Sequence, residues 1–447
     1  MADDGTGGSP PNTNHSAERN NSVPDMDKDL SRVPSTLRND DVKCRVCGGD
    51  LVGFVDLGMS PPCEAFLAES QLKAMEPFYP LVAYFCRGCF LVQLLEYVAP
   101  DKIFTEYAYY SGFSDAWLEH ARRYAEAMAE KLGLGPSSQV IELGSNDGYL
   151  LQFFARRRIP VLGIDPAANV AKAAEVRGVT TLVKFFSAEI ARELAANGTQ
   201  ADLVIGNNVL AQIPSLNSFV EGIRIILKPR GVCTIEFPHL LRTMAENQFD
   251  QIYHEHFSYF SAISAGKIFD MHALRIFDVE ELWTHGGSLR IHICHADDAT
   301  HPTQPSVLGL VRREHDAGLH RLETYIDFAE RVRVTKRKLL NFLIEAKCQG
   351  KTIAGYGAPG KGNTLLNYCG IRGDFLEYTV DRNPYKHGKY LPGTHIPIYS
   401  PDRIAETKPN YVLILPWNLK DEIVKQLGYI RDWDAKFILP IPEVSVF

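Results

Sequence analysis

Residues 140–151 read Val-Ile-Glu-Leu-Gly-Ser-Asn-Asp-Gly-Tyr-Leu-Leu. Val140–Leu143 has the apolar texture of a buried strand, Gly144 and Gly148 punctuate a loop, and Leu150 onward begins a helix. The same alternation continues downstream. Val161–Ile164, Leu203–Ile205 and Val232–Phe237 read as strands, with helical segments at Val170–Val176 and Phe219–Leu227 between them. Strands separated by helices predict a doubly wound parallel sheet. A second alternation starts at Lys351, with strands expected at Thr352–Tyr356, Phe375–Val380, Tyr411–Leu415 and Lys436–Leu439. The fold class is therefore α/β, with two Rossmann-like domains.

In such sheets a ligand sits above the carboxyl ends of the strands. Here those ends carry Glu142, Gly144, Ser145, Asn146, Asp147 and Gly148, then Asp165-Pro166, then Asn207-Asn208. The glycines allow close backbone approach, but Glu142 and Asp147 would repel a pyrophosphate. They suit a ligand with a cationic amino acid portion, and Asp165 stands where a ribose diol is held. S-adenosylmethionine fits this set better than NAD. Phe186 either packs on the adenine or serves the core.

Outside this sheet, residues 1–41 lack Phe, Trp and Tyr and are rich in polar residues, glycine and proline. They read as a disordered tail. Residues 42–100 hold Cys44-x-x-Cys47 and Cys86-x-x-Cys89, two knuckles that can give four thiolates to a structural Zn²⁺. Glycines 48, 49 and 88 suit the tight turns. Cys63 reads as a bystander. Residues 101–300 form the methyltransferase-like unit with an aromatic and helical lead-in, and residues 301–447 form the second α/β unit. The chain of 447 residues carries a formal charge of −7 and has no long Lys/Arg run. That makes it a poor candidate for tracking a nucleic-acid backbone. No apolar stretch has the length of a membrane span, and Met1-Ala-Asp-Asp lacks the character of a signal peptide. A soluble, cytoplasmic protein is expected. Its oligomeric state is open.

Tyr253-His254-Glu255-His256-Phe257 concentrates ionisable groups after the strand ending at Phe237. The spacing is not that of a zinc protease. A histidine of near-neutral pKa beside a carboxylate suits general-base work. Abstraction of a proton next to a carbonyl needs such a base and a donor to the enolate oxygen, and Tyr253 with His254 or His256 supplies both. His285-Gly286-Gly287-Ser288-Leu289-Arg290 offers a weak glycine-lined wall. Gly355-Tyr356-Gly357-Ala-Pro-Gly360-Lys361-Gly362-Asn363-Thr364 matches G-x-G-x-x-G, and Asp381 ends the next strand. Lys361 and the helix start suit any diphosphate, whether of NAD or of a nucleotide sugar.

Together, the cysteine knuckles, Glu142–Gly148, Asn208–Pro214, Tyr253–Phe257, Gly355–Gly370 and Val380–Gly393 resemble the three-domain nucleotide-sugar C-methyltransferases, such as TDP-hexose 3-C-methyltransferases. The resemblance spans about residues 42–443 and implies a specific chemistry. The middle domain binds S-adenosylmethionine. The C-terminal domain helps hold a nucleoside-diphosphate 4-keto-deoxysugar through the Gly355 loop and Asp381. His256 is the base, with Tyr253, His254 and Glu255 beside it. One of Tyr107, Tyr109 and Tyr110 reaches the sugar. Gln212 departs from the family's usual histidine. The rival readings are an O- or N-methyltransferase on a nucleotide sugar, an NAD-linked oxidoreductase or epimerase, and a zinc-bearing nucleic-acid binder.

Overall fold

A computed structural model describes residues 32–105, 111–113 and 115–447, without the side chains of residues 39–41, 113, 115 and 116. Most of the expected tail and all three tyrosines, Tyr107, Tyr109 and Tyr110, lie outside the described residues. Regular structure begins before residue 42. Strand β1, Arg38–Lys43, pairs antiparallel with β2, Asp50–Ser60. Val33 and Leu37 are buried ahead of it, and the Arg38 guanidinium donates to the Val33 carbonyl at 2.9 Å. These two apolar anchors order a segment whose overall composition is polar.

The first sheet continues through β3, Tyr79–Cys86, and β4, Val92–Leu94, and ends on β10, Ser258–Tyr259. That last strand comes from far along the chain and directly follows the Tyr-His-Glu-His segment. Ser258 pairs with Gln93 and Tyr259 with Val92. The cysteine module thus supplies the rail to which the histidine segment is fixed.

The central sheet contains β5, Val140–Leu143; β6, Val161–Ile164; β7, Thr181–Leu182; β8, Ala201–Asn207; and β9, Leu227–Pro238. Two further strands, β11, Leu274–Leu282, and β12, Ser288–His295, extend it antiparallel. Its order is β11-β12-β9-β8-β5-β6-β7, so the winding reverses at β5. The crevice opens there, above the end of the strand first read as decisive. The loop after β5 is left-handed at Gly144, Asn146 and Gly148. A side chain at Gly148 would also press on Ala174 and Val179 at about 3.2 Å.

The C-terminal sheet has the order β15-β14-β13-β16-β17-β18. Its strands are β13, Ile353–Tyr356; β14, Thr379–Val380; β15, Ile398–Tyr399; β16, Tyr411–Ile414; β17, Lys436–Leu439; and β18, Ser445–Val446. The expected strand from Phe375 shrinks to Thr379–Val380. Residues 373–375 are spent on a turn closed by a Phe375 N–H bond to the Arg372 carbonyl at 3.0 Å. The long helix Leu322–Cys348 buries Tyr325, Phe328 and Val332 against the first sheet, with Tyr325 stacked on Phe85 at 4.4 Å. One apolar cluster therefore runs through the cysteine module and the C-terminal domain.

The helix Gly360–Cys369 makes the polar half of that junction. Asn363 donates to the Cys63 carbonyl at 2.6 Å and Thr364 to the Ile252 carbonyl at 3.1 Å, both bonds being buried. Asn363→Ala leaves a buried carbonyl unpaired, a loss of about 1–3 kcal/mol. Its melting temperature is expected to fall measurably in a thermal melt of the purified chain. An unchanged melt would remove this bond from the junction.

Candidate active site

A cavity of about 680 Å³ opens where the three sheets meet. Its donor half lies over the central sheet. Gly144, Asn146, Asp165, Pro166, Phe186, Asn207 and Asn208 all line it. Asp165 accepts from the backbone N–H groups of Asn146 and Ala167, both at 2.9 Å, and burial raises its pKa. Each carboxylate oxygen keeps a lone pair for a diol. Asn207 has neither amide atom paired, and the Asn208 oxygen is also orphaned in the wall. Buried amides left this way call for a polar ligand. The residues present thus fit S-adenosylmethionine, with its ribose hydroxyls and zwitterionic tail.

Four expected donor residues lie under this wall instead of on it. Glu142 is 1% exposed, and burial with nearby Asp165 and Asp147 pushes its pKa well up. Asp147 is taken by Arg177 at 2.8 Å and by the Gly112 N–H at 3.1 Å. Ser145 is fully buried, and Gly148 serves the turn. An acidic residue after a strand marks the region in sequence. Whether it faces the ligand or the loop's underside depends on left-handed residues that a pattern does not fix.

The acceptor half carries Tyr253, Glu255 and His256. His256 Nδ1 lies 3.3 Å from the Gln251 carbonyl, so that nitrogen bears the hydrogen. Nε2 is then the basic atom, and the Tyr253 hydroxyl donates to it at 3.0 Å. Burial chiefly, with His285 and Lys361 nearby, lowers His256 to about 3. Its ring is neutral and able to accept a proton. His254 points away: its Nε2 meets the Pro80 carbonyl at 3.2 Å and its ring packs edge-on to Tyr79. The i, i+2 spacing turns the two imidazoles apart. Glu255 accepts from the Cys63 thiol at 3.4 Å, and burial with Glu64 raises it to about 8.

From the C-terminal domain only Pro359, Gly360 and Lys361 reach the cavity. Gly355, Tyr356, Gly357, Gly362, Asn363, Thr364 and Asp381 do not line it. Asp381 accepts from the Ala358 and Asn383 N–H groups at 2.7 and 2.8 Å, and so holds the glycine loop itself. Tyr356 bonds Gln426 at 2.8 Å. Gly362 faces Leu415, where a side chain would sit at about 3.0 Å. Lys361 lies over the Trp417 ring at 4.7 Å.

At the far end of the first sheet, the Sγ atoms of Cys44, Cys47, Cys86 and Cys89 all lie within 4.8 Å of one another. Thiolates about 2.3 Å from a tetrahedral Zn²⁺ stand about 3.8 Å apart. Two of the pairs stand 3.6 Å apart, Cys44–Cys89, and 3.4 Å apart, Cys47–Cys86. Each knuckle closes through the N–H four residues on, Gly48 to Cys44 and Phe90 to Cys86, both at 3.0 Å. Both closing residues have positive φ. Phe90, not Gly88, takes the left-handed place in the second knuckle, because that place is set by the distance from Cys86.

Family models for a zinc binding domain, a methyltransferase domain and a C-methyltransferase C-terminal domain match residues 44–104, 117–275 and 283–442. C-methyltransferase NovU from Streptomyces niveus is 37% identical over 408 residues, covering 90% of this chain and 96% of that protein. The chain belongs to the C-methyltransferase family. It is an S-adenosylmethionine-dependent methyltransferase with a structural zinc site. Among solved structures, magnesium protoporphyrin IX methyltransferase from Synechocystis is 16% identical, with a TM-score of 0.31 over 40% of this chain and 82% of that one. A methyltransferase from Clostridium acetobutylicum is 11% identical, with a TM-score of 0.32 over 40% and 92%.

Sequence reasoning missed several walls of this C-methyltransferase's cavity, namely Cys63, Glu64, Trp117 and Tyr149. His285, read only as part of a weak glycine-lined wall, does line it. Among the described residues no helix is long and apolar enough to cross a membrane.

Two outcomes follow from the geometry. Metal analysis of the purified methyltransferase is expected to find about one zinc per chain. Cys86→Ser should lose it and lower the melting temperature, and a zinc-free wild type that melts normally would refute the site. The second outcome is a pH dependence. His256 is held at about 3 when folded, against 6.5 in its ordinary state. As pH falls from 6.5 towards 3, the unfolded chain takes a proton that the folded site refuses, so stability present above pH 6.5 is lost. His256→Asn should therefore flatten the acid side of the melting-temperature profile. Parallel profiles would mean that His256 is not buried neutral.

Proposed function

We propose that this C-methyltransferase acts on a nucleoside-diphosphate 4-keto-deoxysugar, with His256 as the base that enolises the sugar at C3. The observation that supports this is one cavity shared by three parts of the chain. The donor wall of the central sheet, the Tyr253–His256 pair and the Gly360–Lys361 helix start all open onto it. S-adenosylmethionine, held by Asp165, Asn207 and Asn208, supplies an electrophilic methyl group.

The acceptor must be made nucleophilic at carbon. His256 Nε2, neutral and basic, accepts the proton α to the ketone. The Tyr253 hydroxyl, now bonded to that nitrogen, is the adjacent donor that can turn to the enolate oxygen. Lys361 and the first turn of its helix suit the diphosphate. The cavity holds donor and acceptor in one orientation, which removes much of the entropic barrier.

His256→Asn tests the reading. Solvent deuterium is expected to enter C3 of the keto-sugar with the wild-type enzyme even without the methyl donor, as followed by proton NMR. The variant should lose both exchange and turnover while still binding S-adenosylhomocysteine. Undiminished exchange in the variant would remove His256 from the base role. Turnover by wild type onto an oxygen or nitrogen would overturn the carbon acceptor.

A further inference from the structure

We propose that His285 is a second catalytic residue of the acceptor site, donating a hydrogen bond to the substrate's carbonyl oxygen as the enolate forms. This rests on the enolisation reading above. His285 lines the same cavity as His256. It lies in the turn between β11 and β12, where three residues in a row have positive φ: 54° at His285, 89° at Gly286 and 117° at Gly287. A left-handed backbone at a non-glycine residue is strained and needs surroundings that enforce it.

Those surroundings are built from both halves of the site. The Gln251 side-chain amide donates to the His285 carbonyl at 3.3 Å, while the Gln251 backbone carbonyl holds His256 Nδ1. One residue thus holds the backbone of His285 and the ring of His256. Gln248 donates to the Gly286 carbonyl at 2.8 Å. A side chain at Gly286 would strike the Trp417 ring at about 2.5 Å, so only glycine lets the C-terminal domain close against this turn. Asn208, itself left-handed at 56°, lies with Nδ2 at 3.3 Å from His285 Nε2. Asn208 directly follows β8, the strand of the donor wall, so His285 adjoins that wall while lining the same cavity as His256.

The chemistry follows from that placement. With Asn208 donating to Nε2, the ring hydrogen sits on Nδ1 and is left for a ligand atom. Burial chiefly, with Lys361 and His120 nearby and Glu236 opposing, holds the ring neutral at about 4. A neutral imidazole N–H can polarise a carbonyl. The C3–H bond breaks towards His256 Nε2, its electron pair becomes the C3=C4 bond, and the carbonyl pair moves to the oxygen facing His285. No proton leaves His285.

His285→Asn is the informative variant, because asparagine tolerates positive φ and keeps the turn. Solvent-deuterium exchange at C3 without methyl donor is expected to slow by about a hundredfold or more, the usual effect of losing one oxyanion donor. The melting temperature and S-adenosylhomocysteine affinity should stay near wild type. Asn208→Gly, which keeps the backbone but frees the ring, should slow exchange to a smaller degree. Wild-type exchange with an unchanged rate in His285→Asn overturns this inference alone. No exchange by wild type on any 4-keto sugar overturns the enolisation reading and this inference with it.

Discussion

The cavity exists because the helix Gly360–Cys369 is pinned by two buried hydrogen bonds to parts of the chain that precede it. Asn363 holds the Cys63 carbonyl of the cysteine module, and Thr364 holds the Ile252 carbonyl just before the histidine segment. Neither carbonyl can be left bare inside the protein without cost. Bringing them to one helix ties together the zinc-bearing sheet, the segment that carries His256, and Lys361. The zinc acts at one remove from this. It closes the first sheet, whose last strand, β10, begins two residues after His256.

Desolvation sets the charge states within that frame. Glu142, Asp165 and Glu255 are pushed up, and His256 and His285 are pushed down, with burial as the largest cause in every case. Burial thus favours the uncharged form of each of these groups, and in such a desolvated setting any charge that develops on a ligand is felt strongly. The chain's net charge of −7 therefore says little about what it binds.

The doubly wound sheets were readable because their periods and loops are local. The zinc ligands were readable because two Cys-x-x-Cys knuckles have few other uses. The failures share a physical cause. Asn363 and Thr364 sit inside a dinucleotide-like fingerprint, and nothing local says that their partners are carbonyls 300 and 112 residues away. Asp381 looks like a ribose acceptor but is consumed by its own loop. His254 and His256 differ only in which way a short turn aims them. Cys63 looked idle until the fold placed Glu255 against it. His285 stood in sequence only as the start of a weak glycine-lined wall, and its backbone angle and bond to Gln251 gave it a defined place.

A histidine held at about 3, proposed as a base, raises a question of strength, since a weak base accepts a proton poorly. The causes of the shift supply an answer. Besides burial, the cation at Lys361 disfavours a second positive charge on His256. A diphosphate beside Lys361 would neutralise that cation and add negative charge to the cavity. Under the proposed function the substrate then removes one of the obstacles to protonating His256, and the enolate that follows leaves an anion near the new imidazolium. On that reading His256 would become a stronger base with the anionic substrate beside it, so proton abstraction would be favoured when the correct ligand is bound.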